Sequence, residues 1–212
     1  MTEHPILFSA PMVRAILAGT KTQTRRVVSK QFAPDAIVAE VGATTPEGWQ
    51  VSGHSGLWWD DAGACIDDAV RCPYGLPGDR LFVREAFRLC QEADDVSPRD
   101  SDPGYRVWYE ADKPHQLGAG RLRPSIHMPR WASRITLEVT GVRVERLQDI
   151  SEADARAEGI TVPNCQCGYG LDGNLMSGTA SGAYMLLWES INGPGSWNAN
   201  PWVWVVEFKR VG

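Results

Sequence analysis

The stretch Ile16-Leu17-Ala18-Gly19-Thr20-Lys21-Thr22-Gln23-Thr24-Arg25-Arg26 ends an apolar helical pattern on a glycine and then places three cations and three hydroxyls within seven residues. A hydrophobic core needs no such cluster. Such a cluster suits a site for a ligand with carbonyl or phosphate groups, because Lys supplies a mobile charge and a possible base and Arg supplies a fixed fork of donors. The alternative interpretation is a basic, solvated turn after a helix.

The residues before this cluster predict a helix that stops at Gly19. Pro11 suits a first helical turn, and Gly19 can adopt the left-handed conformation that ends a helix. One face carries an apolar stripe, made of Met12, Val13, Ile16 and Leu17. Residues 21 to 28 then predict a strand. Because side chains alternate along a strand, Lys21 and Thr24 can share a site only if Lys21 still lies in the turn.

Later segments predict further elements of one sheet and its helices. Residues 134 to 147 predict the longest strand, in which apolar residues change parity at Gly141, as they do at a β-bulge or a sharp barrel bend. Ser151, with Asp154 three residues later, predicts a capped helix that ends at Gly159. A glycine-rich loop is predicted over residues 163 to 178. A last helix follows, with an apolar stripe made of Ala183, Tyr184, Leu187, Trp188 and Ile191.

Four blocks of the sequence carry a family resemblance. They are Gly19-x-Lys21-Thr22-x-Thr24-x-Arg26 and residues 77–85, 150–160 and 201–208. In this order they resemble the ASCH domain, a member of the PUA-like superfamily, and the resemblance implies an α+β fold, a PUA-like β-barrel with flanking helices. We expect a single domain over residues 1–212 with long loop insertions, similar to the longer members found in phage and prophage sequences. The insertions are predicted at about 29–75, 88–125 and 161–178.

Composition limits the class of protein. The length allows a self-sufficient core, and 43% hydrophobic with 22% charged residues is ordinary for a globular chain. No run approaches the roughly 20 apolar residues of a membrane span, and no secretion signal is recognisable, so we expect a cytoplasmic protein without a membrane partner. Five cysteines favour reduced thiols. Four cysteines could ligate a metal, namely Cys65, Cys72, Cys165 and Cys167. Their spacing is not that of a zinc ribbon, so no metal is predicted.

The charge distribution argues against a general nucleic-acid binder. The formal net charge is −5, whereas such proteins carry an excess of Lys and Arg. Residues 121–146 hold six Arg against two Glu, while residues 85–112 hold three Arg against eight acidic residues. One basic and one acidic face suit a small polar ligand, such as a nucleoside, or a short single-stranded RNA better than a long duplex.

The resemblance also implies chemistry, since the ASCH family includes an amidohydrolase that removes the acetyl group from N(4)-acetylcytidine. Its Thr nucleophile, Lys proton acceptor and Glu proton donor fall on Thr24, Lys21 and Glu158. A Lys can take the Thr proton only if burial or nearby cations lower its pKa, and Arg25 and Arg26 could do so. The predicted hydrolase needs no cofactor. Each residue also has a plain structural role open to it, as a helix-end charge, a strand former or a surface carboxylate.

Further residues are predicted to contact the substrate. Arg26 could orient its carbonyl or stabilise an oxyanion. Trp131 could stack on a pyrimidine while Arg130 bonds its edge, the alternative being a buried Trp beside a surface Arg. Glu85 is a second carboxylate, for ligand contact or for an ion pair, and Ser9 could face the pocket from the start of the first helix.

Two functions follow from these residues. The first is an amidohydrolase that releases an acyl group from a modified cytidine. The second is a binding module that recognises RNA or a modified nucleotide without turnover. RNA cleavage is suggested only at the level of the family, with His127 as a lone acid or base. The sequence leaves the physiological substrate and the oligomeric state open.

Overall fold

The computed structural model describes residues 1–29, 31, 37–39, 55–59, 70–112, 117–162, 168–171 and 174–211. Within these ranges the chain forms twelve strands and three α-helices. In chain order they are β1 (Glu3–Leu7), α1 (Ala10–Leu17), β2 (Gln23–Val27), β3 (Ile37–Ala39), β4 (Ser55–Trp59), β5 (Val70–Arg71), β6 (Arg80–Arg84), β7 (Phe87–Arg88), β8 (Trp108–Tyr109), β9 (Thr136–Arg146), α2 (Glu152–Ala157), β10 (Tyr169–Leu171), β11 (Asn174–Ser177), α3 (Ala180–Asn192) and β12 (Trp202–Arg210). None of the described helices is long and apolar enough to cross a membrane.

A five-stranded sheet in the order β1-β6-β9-β12-β2 forms the centre of the fold. β1 pairs with β6 in parallel, and the other three pairings are antiparallel. The predicted α+β class is confirmed. Within the described ranges β1 and β2 form two open edges of this sheet, so the predicted closed barrel is not confirmed.

β12 pairs with β2 on one side and with β9 on the other, and so it connects the strand that contains Thr24 to the rest of the sheet. Residues 202–206 of β12 are all buried, as expected for a strand that is covered on both faces. The register against β9 shifts between Glu207 and Phe208, whose partners are Gly141 and Val139. The β-bulge predicted at Gly141 is therefore confirmed.

The turn after α1 has the predicted form. Pro11 lies in the first turn of α1, and Gly19 has a φ of +75° just after the helix ends. The backbone N–H groups of Thr20 and Lys21 both bond to Ala15 O, at 2.9 and 3.1 Å. β2 begins only at Gln23, and Lys21 lies between the turn and the strand, in an isolated antiparallel bridge to Glu158.

The later helices end as predicted, and α2 also begins as predicted. The Ser151 hydroxyl accepts a hydrogen bond from the Asp154 backbone N–H, and α2 ends just before Glu158. Gly159 then reverses the chain with a φ of +98°. α3 carries the predicted apolar stripe and ends at Gly193, whose φ is +94°.

Small separate sheets occupy the predicted insertions. β3, β4 and β5 form a three-stranded sheet, and β10 pairs with β11. The predicted glycine-rich loop is therefore wrong for residues 169–171 and 174–177, which pair as two antiparallel strands. A Cβ on Gly170 would collide with Asn174 O and lie 2.6 Å from Met176 Sδ, so this glycine permits β10 to pack closely against β11.

Candidate functional site

A cleft lies at the β2 edge of the central sheet, between the end of α2 and one face of α3. It holds about 410 Å³ of empty space, part of which is open to solvent. Its walls are formed by Met12, Thr24, Arg25, Arg26, Val27, Glu158, Tyr184, Leu187, Trp188, Ile191 and Asn192. The polar side chains come mainly from β2 and from Glu158, whereas α3 supplies most of the apolar ones.

Lys21 and Glu158 form a buried ion pair at this cleft. Lys21 Nζ donates to Glu158 Oε2 at 2.6 Å, to Glu158 O at 2.9 Å and to Gln23 O at 2.8 Å. Both residues are 2% exposed. The backbones of Lys21 and Glu158 also form an antiparallel bridge, and Thr22 N donates to Ala157 O at 2.8 Å. The fold therefore brings together two of the three predicted catalytic residues.

The edge position of β2 explains why Gln23 O is free to accept from Lys21. Thr22 O and Val28 N bond to β12, so even-numbered residues of β2 direct their backbone groups toward β12. In an antiparallel pair the intervening residues direct theirs the other way. Gln23 O therefore faces away from β12, toward Lys21.

The environment lowers the pKa of Lys21. Burial is the main cause, and the Glu158 carboxylate opposes it, while the charges of Arg26 and Arg25 lower the pKa further. This is the direction that a Lys needs in order to serve as a base. The predicted contribution of the two arginines is confirmed in direction, although burial is the larger effect.

Arg25 links Glu158 to two further carboxylates, which sequence reasoning did not assign to the site. Arg25 Nη1 donates to Glu158 Oε1 at 3.4 Å, and Arg25 Nε donates to Glu145 Oε1 at 3.0 Å. Arg25 Nη2 lies 3.6 Å from Asp154 Oδ2. Arg143 binds the same two carboxylates from β9, with Nε 3.1 Å from Glu145 and Nη2 2.9 Å from Asp154. The one sequence signal for this network is the charged pair Arg143 and Glu145, two residues apart on one face of a strand.

Tyr184 is a second residue that sequence reasoning assigned only to packing. Its ring centre lies 5.9 Å from the Arg25 guanidinium carbon, and it is almost fully buried. Burial and the Glu158 carboxylate raise the pKa of Tyr184 well above its ordinary value. The phenol therefore remains neutral at this end of the cleft.

Thr24 and Arg26 line the cleft, as predicted for residues that contact a ligand. Arg26 Nη2 donates to Leu7 O at 2.6 Å, and its guanidinium lies 5.3 Å from the centre of the Phe8 ring. Lys21 Nζ lies 5.6 Å from the same ring. Both cations thus lie within cation–π distance of the Phe8 ring.

Arg130 and Trp131 are not brought to the cleft. Arg130 forms a two-pronged ion pair with Glu3, with Nε and Nη2 each 2.7 Å from a carboxylate oxygen. Glu3 begins β1, whereas Leu7, which contacts Arg26, ends it. Trp131 packs against a separate apolar cluster, made of Phe87, Leu89, Ala93, Met128 and Ala132. Trp131 is partly buried and Arg130 is exposed, so the alternative of a buried Trp beside a surface Arg describes this segment only in part.

Glu85, Ser9 and His127 also lie outside the lining of the cleft. Glu85 is 2% exposed and pairs with Arg134, whose Nε and Nη2 lie 2.9 and 3.2 Å from its two oxygens. The ion-pair alternative therefore describes Glu85. Ser9 is exposed just before α1, and its side chain makes no capping hydrogen bond. His127 is exposed in the 3₁₀ turn Ser125–His127.

The described residues contain no group of three or more His, Cys, Asp or Glu side chains that could hold a metal ion. Cys72 and Cys90 are free thiols, and burial raises the pKa of Cys72 to about 11. Cys65, Cys165 and Cys167 lie outside the described residues. Comparison of the chain with protein-family models, with curated proteins and with solved structures found no match.

Proposed function

We propose that the protein is an ASCH-type amidohydrolase that removes the acyl group from a modified cytidine such as N(4)-acetylcytidine. The observation that carries the proposal is the buried 2.6 Å contact between Lys21 and Glu158 at the cleft that Thr24 lines. Strongly perturbed ionisable groups in a cleft are typical of active sites. Thr24 is the nucleophile in this proposal, Lys21 the base and Glu158 the acid.

The Lys21–Glu158 pair can supply the base and the acid together. Transfer of one proton along the short Nζ–Oε2 contact converts an ammonium and a carboxylate into an amine and a carboxylic acid. Burial favours the neutral amine of Lys21 by lowering its pKa, because the ammonium loses solvation. The amine is then ready to accept the Thr24 proton, and the carboxylic acid is ready to protonate the leaving nitrogen.

Proton transfers balance over the two steps of the proposed reaction. In the first, Thr24 Oγ bonds to the acyl carbon, its proton passes to Lys21, and the C–N bond breaks as Glu158 protonates the exocyclic amine of cytidine. In the second, water attacks the Thr ester and gives a proton to Glu158. The ester C–O bond then breaks as Lys21 returns a proton to Thr24. A carboxylic acid leaves and the pair regains its neutral form.

Arg26 is the proposed stabiliser of the oxyanion formed in both steps. The guanidinium carries five N–H donors and has a fixed geometry, and one Nη2 bond to Leu7 O holds it in place at the cleft. Its fixed positive charge would stabilise the tetrahedral oxygen without reorganisation.

The charges of the site favour an uncharged nucleoside over RNA. Lys21 and Arg25 are matched by Glu158, Glu145 and Asp154 at distances of 3.6 Å or less. Arg26 is the cation of the lining that has no carboxylate partner among the described ion pairs. A site for an RNA backbone normally carries several such cations.

The proposed kinship with the ASCH and PUA-like proteins rests on where the four resembling blocks lie. The first contains Lys21 and Thr24, and the block at 150–160 contains Glu158. The other two include β6 and most of β12, in the central sheet that supports the cleft. The strands of the smaller sheets lie mostly in the predicted insertions, as expected if the insertions are additions to an ASCH core. These strands are β3, β4, β5, β8, β10 and β11.

A binding module without turnover is the second candidate, and one observation favours it. All three Lys21 N–H donors are used, and Lys21 is not part of the lining of the cleft. A Lys held in this way could serve only to neutralise Glu158.

The experiment that separates the two functions follows release of cytidine from N(4)-acetylcytidine by chromatography. We expect turnover by the wild type and by Thr24→Ser, which keeps the hydroxyl, and a loss of about 10³-fold or more for Thr24→Val, which has nearly the same shape. Circular dichroism checks that each variant is folded. Nucleoside binding without turnover by the wild type would replace the enzyme with the binding module, and full activity of Thr24→Val would exclude Thr24 as the nucleophile.

A further inference from the structure

The Glu158 carboxylate faces two cations at unequal distances. Its Oε2 lies 2.6 Å from Lys21 Nζ, whereas its Oε1 lies 3.4 Å from Arg25 Nη1. A buried Lys ammonium can give a proton to a carboxylate, but an Arg guanidinium keeps its protons in proteins. Glu158 can therefore gain a proton from Lys21 and not from Arg25, so the closer approach of Lys21 matters for the proposed reaction.

Glu145 binds Arg25 more closely than Glu158 does. Arg25 Nε donates to Glu145 Oε1 at 3.0 Å, and Arg25 Nη2 donates to the same oxygen. The other oxygen of Glu145 accepts from Arg143 Nε at 3.1 Å, which fixes the orientation of the carboxylate. The Arg25 side chain is fully buried and that of Glu145 is 18% exposed, so solvent screens this ion pair only weakly. Glu145 is thus the main partner of the Arg25 charge.

We infer that Glu145 is a positioning residue that draws Arg25 away from Glu158. The inference rests on the proposed function, in which Glu158 must carry a proton to the leaving nitrogen. Without the charge of Glu145, the remaining carboxylate contacts of Arg25 are Glu158 at 3.4 Å and Asp154 at 3.6 Å. A guanidinium can bind a carboxylate through two parallel N–H bonds. Such a pair would hold Glu158 as a carboxylate beside a cation that gives up no proton.

The same change has a defined effect on Lys21. The Glu158 carboxylate raises the pKa of Lys21, whereas burial and the charges of Arg26 and Arg25 lower it. When Arg25 pairs with Glu158, the effect that raises the pKa is weakened and the charge that lowers it is no longer matched by Glu145. Loss of the Glu145 charge should therefore lower the pKa of Lys21 further and make its amine a weaker base.

The kinetic test compares Glu145→Gln with Glu207→Gln. Glu207 is the matched control, because its carboxylate binds Arg143 in the same network and has no contact with Arg25 in the described part of the chain. We expect kcat for N(4)-acetylcytidine to fall about tenfold or more in Glu145→Gln at an unchanged KM, and to stay at the wild-type value in Glu207→Gln. A rise in KM with an unchanged kcat would show a binding role and overturn the inference.

Nuclear magnetic resonance measures the pKa of Lys21 without any need for turnover. Replacing the three other lysines by Arg leaves Lys21 as the single site for carbon-13-labelled lysine; they are Lys30, Lys113 and Lys209. In this background we expect a lower Lys21 pKa in Glu145→Gln than in Glu207→Gln. The same pKa in both variants overturns the inference, even if kcat falls, because Glu145 would then act elsewhere.

A double variant tests whether Glu145 acts through Arg25. Arg25→Gln and Arg25→Gln/Glu145→Gln should have the same kcat, because Glu145 then has no guanidinium to hold, and a further loss in the double variant overturns the inference. Circular dichroism checks folding, and the Lys21 titration decides if the Arg25 variants do not fold.

The two readouts separate this inference from the proposed function. If the wild type hydrolyses no acylcytidine but the Lys21 pKa falls only in Glu145→Gln, the positioning role stands and the hydrolase fails. If hydrolysis occurs and Glu145→Gln matches Glu207→Gln in both kcat and the Lys21 pKa, the hydrolase stands and the positioning role is rejected.

Discussion

Lys21 and Glu158 meet through both their backbones and their side chains. Their main chains form an antiparallel bridge, and Lys21 Nζ lies 2.6 Å from Glu158 Oε2, across 137 residues of sequence. The turn after α1 and the end of α2 thus fix the ion pair from both sides. Its geometry depends on the fold rather than on the free rotation of two long side chains.

Removing the charge of Lys21 should destabilise the protein strongly. Lys21→Met leaves the Glu158 carboxylate buried with Arg25, at 3.4 Å, as its charged partner and with Tyr184 as a neutral one, and removal of one partner of a buried pair typically costs about 3–5 kcal/mol. Urea unfolding measures the loss. Lys209→Met is the control, because Lys209 forms an exposed ion pair with Glu138 at 2.9 Å, and such pairs contribute about 1 kcal/mol or less.

The double variant Lys21→Met/Glu158→Met tests whether the two residues act as a pair. Replacement of both charges by apolar side chains of similar size removes the uncompensated charge, so the double variant should lose clearly less stability than the sum of the single variants. Strictly additive losses would show that the two side chains are not coupled.

Gly159→Ala should damage both stability and the site. Gly159 has a φ of +98°, and an added Cβ would lie 3.0 Å from Ala15 Cβ and 3.3 Å from Lys21 Cβ. The strain is expected to cost about 1–3 kcal/mol and to displace Lys21. Gly78→Ala is the control, because its φ of +94° is similar but an added Cβ meets nothing within 4 Å. Equal losses of nucleoside binding in the two variants would contradict the role of Gly159 in positioning Lys21.

Asp154 should make stability depend on pH in the acid range. Partial burial raises the pKa of Asp154, but the Ser151 hydroxyl and the charges of Arg25 and Arg143 outweigh it, so the pKa lies below its ordinary value of 3.8. The unfolded chain therefore binds more protons, and the stabilisation, complete above pH 3.8, is lost as the pH falls through the folded pKa. Urea unfolding should show Asp154→Asn to be less stable than the wild type at neutral pH, with the difference shrinking below pH 3.8. A difference that is constant with pH would contradict this assignment.

Glu85→Gln should affect stability but not the cleft. The buried Glu85 carboxylate binds Arg134, which also binds Asp112 and lies 3.9 Å from the Tyr109 ring centre. Loss of its charge is expected to cost about 1–3 kcal/mol in the free energy of unfolding. The KM for N(4)-acetylcytidine should stay at the wild-type value. A tenfold higher KM in a folded variant would restore Glu85 as a substrate contact.

Local signals in the sequence were sufficient to predict the ends of the helices and the glycine turn that precedes Lys21. Gly19, Gly159 and Gly193 all have positive φ values, and Ser151 caps α2 as expected. These features depend on a few neighbouring residues, so a sequence pattern can reveal them. Gly170 shows the limit of such reasoning, because a glycine selected for close strand packing looks the same in sequence as one selected for a loop.

The composition of the site could be predicted only in part, because it is assembled across the sheet. Glu145 and Asp154 reach Arg25 from β9 and α2, and only the strand order brings them together. Arg130 and Trp131 have suitable chemistry but lie in a segment that contacts the start of β1 and a separate apolar cluster. Residue type indicates what a side chain can do, whereas topology decides which side chains meet.

The dependence of β2 on β12 sets an order of events during synthesis. β2 is an edge strand whose described pairing is to β12, and β12 follows every other element of the cleft in the chain. Lys21 and Thr24 leave the ribosome early, yet their strand has no place in the sheet until residues 202–210 emerge. A nascent chain stalled before β12 should therefore be unable to bind a nucleoside, and ligand binding can report completion of the sheet.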